Sequence, residues 1–200
     1  MIKTNPFYCL IALVLCLPAL SLADYEDGVN AALAGDFATA YREFSLAAEA
    51  GLPLAQYNLA ILYFTGQGVE RDMAQAFEWT LRAAEQGHVE AQANLGSLYL
   101  NGDGTEADAE AGVRWLSSAA RSDHAGAAYS LANMYFNGLS VDPSLVQAHA
   151  WASQALQAAR DIDDPQTAME AQDLRSRIEE GLDDDELGQA RRLYARWQIE

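Results

Sequence analysis

The chain has 200 residues, half of them apolar, and carries 29 acidic against 12 basic side chains for a formal charge of −17. That length suits one domain or two, and the apolar share is too high for a disordered chain. So negative a surface repels phosphate backbones and anionic lipid, which removes nucleic acid from the expected partners; it suits a basic protein or peptide and also serves solubility.

Residues 1–23 read as a secretory leader. Lys3 supplies a positive start, Phe7 to Leu17 is an apolar core, and Ser21 and Ala23 make a small-x-small cleavage site just before Asp24. The apolar run is short for a membrane span. Bulky Leu15 before Cys16 argues against a lipoprotein signal. Secretion across the inner membrane, into the periplasm, is therefore expected, with no stable membrane insertion once the leader is cut. Both cysteines, Cys9 and Cys16, fall inside it. The mature chain then has no thiol for catalysis, metal binding or disulfides, and must hold together by burial alone.

Beyond Asp24, Ala, Leu, Gln and Glu dominate and long Val/Ile/Thr alternations are absent, which predicts an all-α fold. The stretch "GDFATAYREFSLAAEAG" from Gly35 reads as a shorter hairpin, with Phe44 one place later than the tryptophans of the later copies. Next, "AQYNLAILYFTGQG" from Ala55 returns as "AQANLGSLYLNGDG" from Ala91, a shift of 36 residues. The same shift aligns Leu59, Leu95 and Leu131, then Tyr63, Tyr99 and Tyr135, then Gly66, Gly102 and Gly138, then Trp79, Trp115 and Trp151. A period in this range signals a repeat architecture.

Each copy divides into two helices. Ala55, Leu59, Leu62 and Tyr63 share one helical face, and Gly66 is expected to end that helix in the left-handed region. Asp72 is placed to cap the second helix, with Gln75 three residues on as in a capping box. Ala76, Trp79, Ala83 and Ala84 form its expected buried stripe, and Gly87 stops it. Asp36, Asp108 and Ser144 stand in phase with Asp72, and Pro143 is expected at the start of the second helix of the last copy. No single hairpin can bury its own apolar face, so the copies are expected to stack as an α-solenoid of antiparallel helix hairpins with 36-residue repeats. At the C-terminal end, Asp164-Pro165 starts a helix to about Glu180, and Asp183 with Glu186 caps a last one through Leu193 and Trp197. These two are expected to close the open apolar end. The domain plan is a leader at 1–23, a solenoid of about four hairpins at 24–160, and capping helices at 161–200.

The residues that recur identify a resemblance. "AQYNLAILYFTGQGVERDMAQAFEWTLRAAEQG" resembles the Sel-one-like repeat family, an α-solenoid relative of tetratricopeptide repeats. Ala55, Leu59, Tyr63, Gly66, Gly68, Val69, Asp72, Ala76, Trp79, Ala83, Ala84 and Gly87 carry the match; Ala60 stands in place of the usual Gly. In the next copy Gly96 restores that Gly, while Thr105 replaces Val and Gly112 replaces Ala. The last copy has Leu139-Ser140 where the Gly-x-Gly would continue after Gly138, and no Gly after Ala158. The resemblance implies a non-catalytic adaptor or scaffold, here of the bacterial envelope. It also raises an alternative: secreted cysteine-rich relatives associated with β-lactam binding or hydrolysis. Those rely on cysteine pairs that the mature chain lacks, so the chain is not expected to be an enzyme, and no cofactor is expected.

Motifs that could carry other chemistry fail on context. A phosphate loop needs a strand before its glycines, and here a helix precedes them. His88 and His124 are also 36 apart, but no third ligand follows in phase. An EF-hand loop from Asp161 would need Gly and Glu where Gln166 and Gln172 stand. Function is better sought where the copies differ. Column 64/100/136 holds Phe, Leu and Phe and is expected to be core. Columns 57/93/129 (Tyr, Ala, Tyr) and 61/97/133 (Ile, Ser, Asn) vary and lie opposite Leu59 and Tyr63, on the face expected to line the concave side. Tyr57, Ile61, Tyr129 and Asn133 are thus the candidate partner-binding residues. Packing between neighbouring repeats is the competing use for the tyrosines.

Overall fold

A computed structural model describes residues 22 and 24–199. The expected leader lies outside the described residues apart from Leu22. All described secondary structure is helical. The helices are α1 (24–33), α2 (Phe37–Glu49), α3 (Pro53–Thr65), α4 (Met73–Glu85), α5 (Val89–Asn101), α6 (Ala109–Arg121), α7 (Ala125–Asn137), α8 (Leu145–Asp161), α9 (Pro165–Glu179) and α10 (Asp184–Trp197). They form two compact units, divided between His88 and Val89.

Local chemistry sets most helix starts. Asp36, Asp72 and Asp108 each turn a carboxylate oxygen onto first-turn amides, at 2.9–3.1 Å. The Ser144 hydroxyl and the Asp164 and Asp183 carboxylates accept first-turn amides of α8, α9 and α10. At α10 the box is complete, because Glu186 accepts from the Asp183 amide. Replacing such a cap with Ala typically costs about 1 kcal/mol. Asp36 and Asp164 titrate below the ordinary carboxylate range, chiefly through their hydrogen bonds to Thr39 and Thr167. Pro143 is a correction: the helix begins at Leu145 with Ser144 as its cap, so Pro143 sits outside it and packs beside Gly138. The hydroxyl of Ser144 can accept an amide hydrogen bond and Pro143 cannot, so the cap wins over the preformed φ of proline.

In the first unit α2 packs on α3 and α3 on α4. Phe44, Ala47, Ala48, Ala55, Leu59 and Leu62 form its core. The Tyr25 ring of α1 lies 5.8 Å from that of Phe44, and Gly28 lets α1 come close: a Cβ there would stand 2.6 Å from the ring. Tyr41 and Tyr63 meet edge-on, their hydroxyls 2.9 Å apart. Burial first, then the bond to Tyr41, pushes the Tyr63 phenol up to about 12. Because the unfolded phenol ionises near 10, the contribution of Tyr63 is complete below that pH and is lost as pH rises toward 12. The midpoint of urea unfolding should therefore fall more steeply above pH 10 in the parent than in Tyr63→Phe; parallel curves would refute this role.

In the second unit α5–α6 and α7–α8 pair as hairpins, α6 packs on α7, and α8 receives α9 and α10. Leu131, Ala128, Ala132, Ala155, Leu174 and Ile178 lie at its centre. Burying each of the two leucines and the isoleucine contributes about 1.5–3 kcal/mol. The α5–α6 approach depends on two glycines: a Cβ on Gly96 would stand 2.7 Å from Leu116, and one on Gly112 2.7 Å from Leu100. Turn column 51/87/123 stays left-handed even where glycine is lost, with φ of +95°, +87° and, at Asp123, +60°. One copy further on the phase reaches Ala159, inside α8; that helix runs on to Asp161, and the left-handed residue becomes Asp163 at φ +55°.

Two core expectations need correction. Trp79 and Trp115 are half-buried, and only Trp151 is closed off, by Trp197. Phe64 is 44% exposed, beneath the Arg71 guanidinium, while Leu100 and Phe136 are half-buried. Leu100 settles over Gly112, and Phe136 packs against the core of the second unit with the Arg177 guanidinium over its ring.

Candidate interaction surface

The four candidate residues fall as two pairs, each spaced by one helical turn: Tyr57 and Ile61 on α3, Tyr129 and Asn133 on α7. All four are half-buried, while the leucines of the same helices, Leu59 and Leu131, are closed from solvent. Tyr57 stacks on His88, ring centroids 4.6 Å apart at 26°. That contact ties the middle of α3 to the turn that follows α4 and uses one face of the phenol ring. Tyr129 rests against the core of the second unit. Asn133 turns back on its own helix, its Nδ2 donating to the Tyr129 carbonyl at 3.1 Å, and its own carbonyl accepts from Asn137. Each tyrosine is thus partly packed and partly open to solvent.

The in-phase histidines are likewise put to structural use. His124 caps α7, its Nδ1 accepting the Ala127 amide at 3.0 Å, and His88 carries the Tyr57 stack. The glycines of the repeated loop are positioned by conformation: Gly66 closes α3 at φ +71° with its amide on the Leu62 carbonyl.

The structure also assembles a site that the sequence did not announce. Trp197 of α10 packs on Trp151 of α8 with centroids 4.0 Å apart, and the Arg121 guanidinium lies 5.7 Å from the Trp197 ring. Beside them opens a cleft of about 330 Å³, lined by Ser117, Tyr135, Gln147 and Arg196 as well. Trp197 could be seen as an amphipathic anchor in the sequence, but its partner could not, because 46 residues of chain separate the two tryptophans.

The recurrence of helix, left-handed glycine, capped helix and turn is decisive when set against known families. The Sel1 repeat model matches residues 53–88, 89–124 and 125–159. The chain belongs to the Sel1 repeat family. Its Sel1 hairpins are α3–α4, α5–α6 and α7–α8, and its fold is that of an all-α repeat solenoid. Among solved structures, it is similar to a Sel1 repeat protein from Oxalobacter formigenes, with 28% identity and a TM-score of 0.57, over 60% of this chain and 49% of that one. It is also similar to c5321, a protective antigen present in uropathogenic Escherichia coli strains, with 27% identity and a TM-score of 0.48, over 88% of this chain and 45% of that one. The matches thus span about half the length of either protein. No curated protein sequence matches the chain. Sel1 repeats are in general non-catalytic modules for protein–protein interaction. Among the described residues no helix is long and apolar enough to cross a membrane.

Proposed function

We propose that this Sel1 repeat chain is a non-catalytic adaptor of the bacterial envelope, binding a protein or peptide along the face of its first helices. Tyr57, Ile61, Tyr129 and Asn133 are the proposed contacts, and α9 and α10 the caps of the repeat array. The observation that carries the reading is the half-open state of Tyr57 and Tyr129 beside fully closed leucines. A rigid aromatic, held by its own stack and still partly wet, loses little entropy on binding and is the residue type that dominates interface energetics. The acidic surface favours a basic segment as partner and speeds its encounter.

Crosslinking pull-down from the periplasm of a producing strain is the test, comparing the parent with Tyr57→Ala/Tyr129→Ala. Truncating two such anchors should weaken capture by about 30-fold or more. Helical content should survive, because neither ring belongs to the closed core. Recovery of the same proteins at the same yield by both would remove this surface.

A further inference from the structure

A second cleft, of about 270 Å³, opens between α8, α9 and α10 of the second unit. Its chemistry runs against that of the chain. Arg160 of α8, Arg175 of α9 and Arg191 of α10 all line it, three of the 12 basic residues in a chain of charge −17. Among the described residues Glu179 is the only carboxylate on its wall, and it is already engaged by His149 Nε2 at 2.9 Å, with Arg175 Nε 3.6 Å away. The lining therefore keeps a net positive charge. Arg160 and Arg191 form no ion pair among the described residues; the nearby acid Asp161 accepts from Gln157 instead.

The polar accounting on this wall is also incomplete. Among the described residues, the buried side-chain polar atoms without a hydrogen-bond partner are His149 Nδ1 and Arg175 Nε, and both residues line this cleft. Arg175 is held on its other side by Gln172, at 3.2 Å. Both atoms are closed from solvent, and Arg175 Nε keeps the 3.6 Å ion pair with Glu179. His149 is itself an exception in the repeat: its column carries Phe77 and Val113 in the earlier copies, and only here is the apolar residue replaced by a 4%-exposed imidazole. Ser153 and Tyr194 add hydroxyls to the same wall.

We propose that this cleft binds a phosphate group, free or at the end of a small phosphate ester. Three guanidinium forks reaching in from three helices suit a tetrahedral anion, whose oxygens point in separate directions; a planar carboxylate is satisfied by one or two forks. The volume, just below the range of ordinary drug-sized pockets, has room for a phosphate together with a small ester group. This site is independent of the tyrosine face, and neither Tyr57 nor Tyr129 lines it.

Isothermal titration of the purified protein with inorganic phosphate, glycerol phosphate and succinate at matched ionic strength provides the test. Saturable binding of phosphate in the millimolar range or tighter is expected. Arg160→Gln and Arg191→Gln, both at exposed positions, should each weaken it about tenfold. Arg114→Gln, which removes an exposed partner of Glu110 on α6, should leave it unchanged. Tighter binding of glycerol phosphate than of phosphate identifies an ester as the ligand, and equal binding identifies the free anion. Absence of saturation up to about 50 mM overturns the proposal, as does equal weakening by Arg114→Gln or succinate binding as tight as phosphate.

Discussion

Gly68→Ala should destabilise the first unit by about 2–4 kcal/mol, roughly twice the effect of Gly66→Ala in the same loop. Both glycines sit at φ +71°, so both substitutions incur the left-handed penalty of about 1–2 kcal/mol. What separates them is the neighbour. A Cβ on Gly66 meets the Arg71 Cβ at 3.2 Å, a contact that a small shift relieves. A Cβ on Gly68 would stand 2.0 Å from the Phe37 carbonyl oxygen and 2.4 Å from its carbon. Those are backbone atoms at the first residue of α2, and no rotamer change can move them. The loop would have to lift by more than about 1 Å, giving up its packing on α2. Urea unfolding of both variants, with hydrogen exchange to localise the loss to α2 and α3, decides the matter. Equal costs for the two would show that the left-handed conformation alone accounts for the second glycine, and that the approach to α2 is relaxed without penalty.

Trp197→Ala should release α10 at a cost of about 2–3 kcal/mol, below the usual 3–5 for a fully buried tryptophan because this ring is half-buried. The helix has few other holds. Ala190 is its one closed residue among those described, and its end is tied through Gln198, which donates to Gln154, which in turn donates to Asp123. Removing the ring opens Trp151 to water and removes the surface beneath the Arg121 guanidinium. Exchange protection should vanish along α10 while α7 and α8 keep theirs, and the remaining tryptophan emission should shift to the red. Trp197→Phe should keep most of the docking, because an aromatic face on Trp151 is retained. Global unfolding in Trp197→Ala, with α7 and α8 losing protection together with α10, would mean that α10 is a structural part of the core and not a docked cap.

Much of this was legible because it is local. A carboxylate three residues from an amide forms a cap whatever lies beyond it, and so Asp36, Asp72, Asp108 and Asp183 could be placed from spacing alone. Apolar phase in three copies likewise marked Leu59, Leu95 and Leu131, since each copy solves one packing problem. The same logic failed at Phe64. Identity of type across a column assumes identical surroundings; Leu100 and Phe136 pack against the core of the second unit, and Phe64 lies open beneath Arg71. It failed again at Trp79, where a residue common to all copies is closed only in the copy that α10 covers.

The candidate surface divides in the same way. Variation between copies singled out Tyr57 and Tyr129, yet the stack of Tyr57 on His88 depends on where the turn after α4 brings the imidazole. By itself the sequence determined the repeat, most helix starts and the family, because caps, glycine turns and helical periodicity act within a few residues. Tertiary structure alone decided which aromatics are covered and which arginines converge. Arg160, Arg175 and Arg191 lie on three helices and acquire a common purpose only when α9 and α10 fold back on α8.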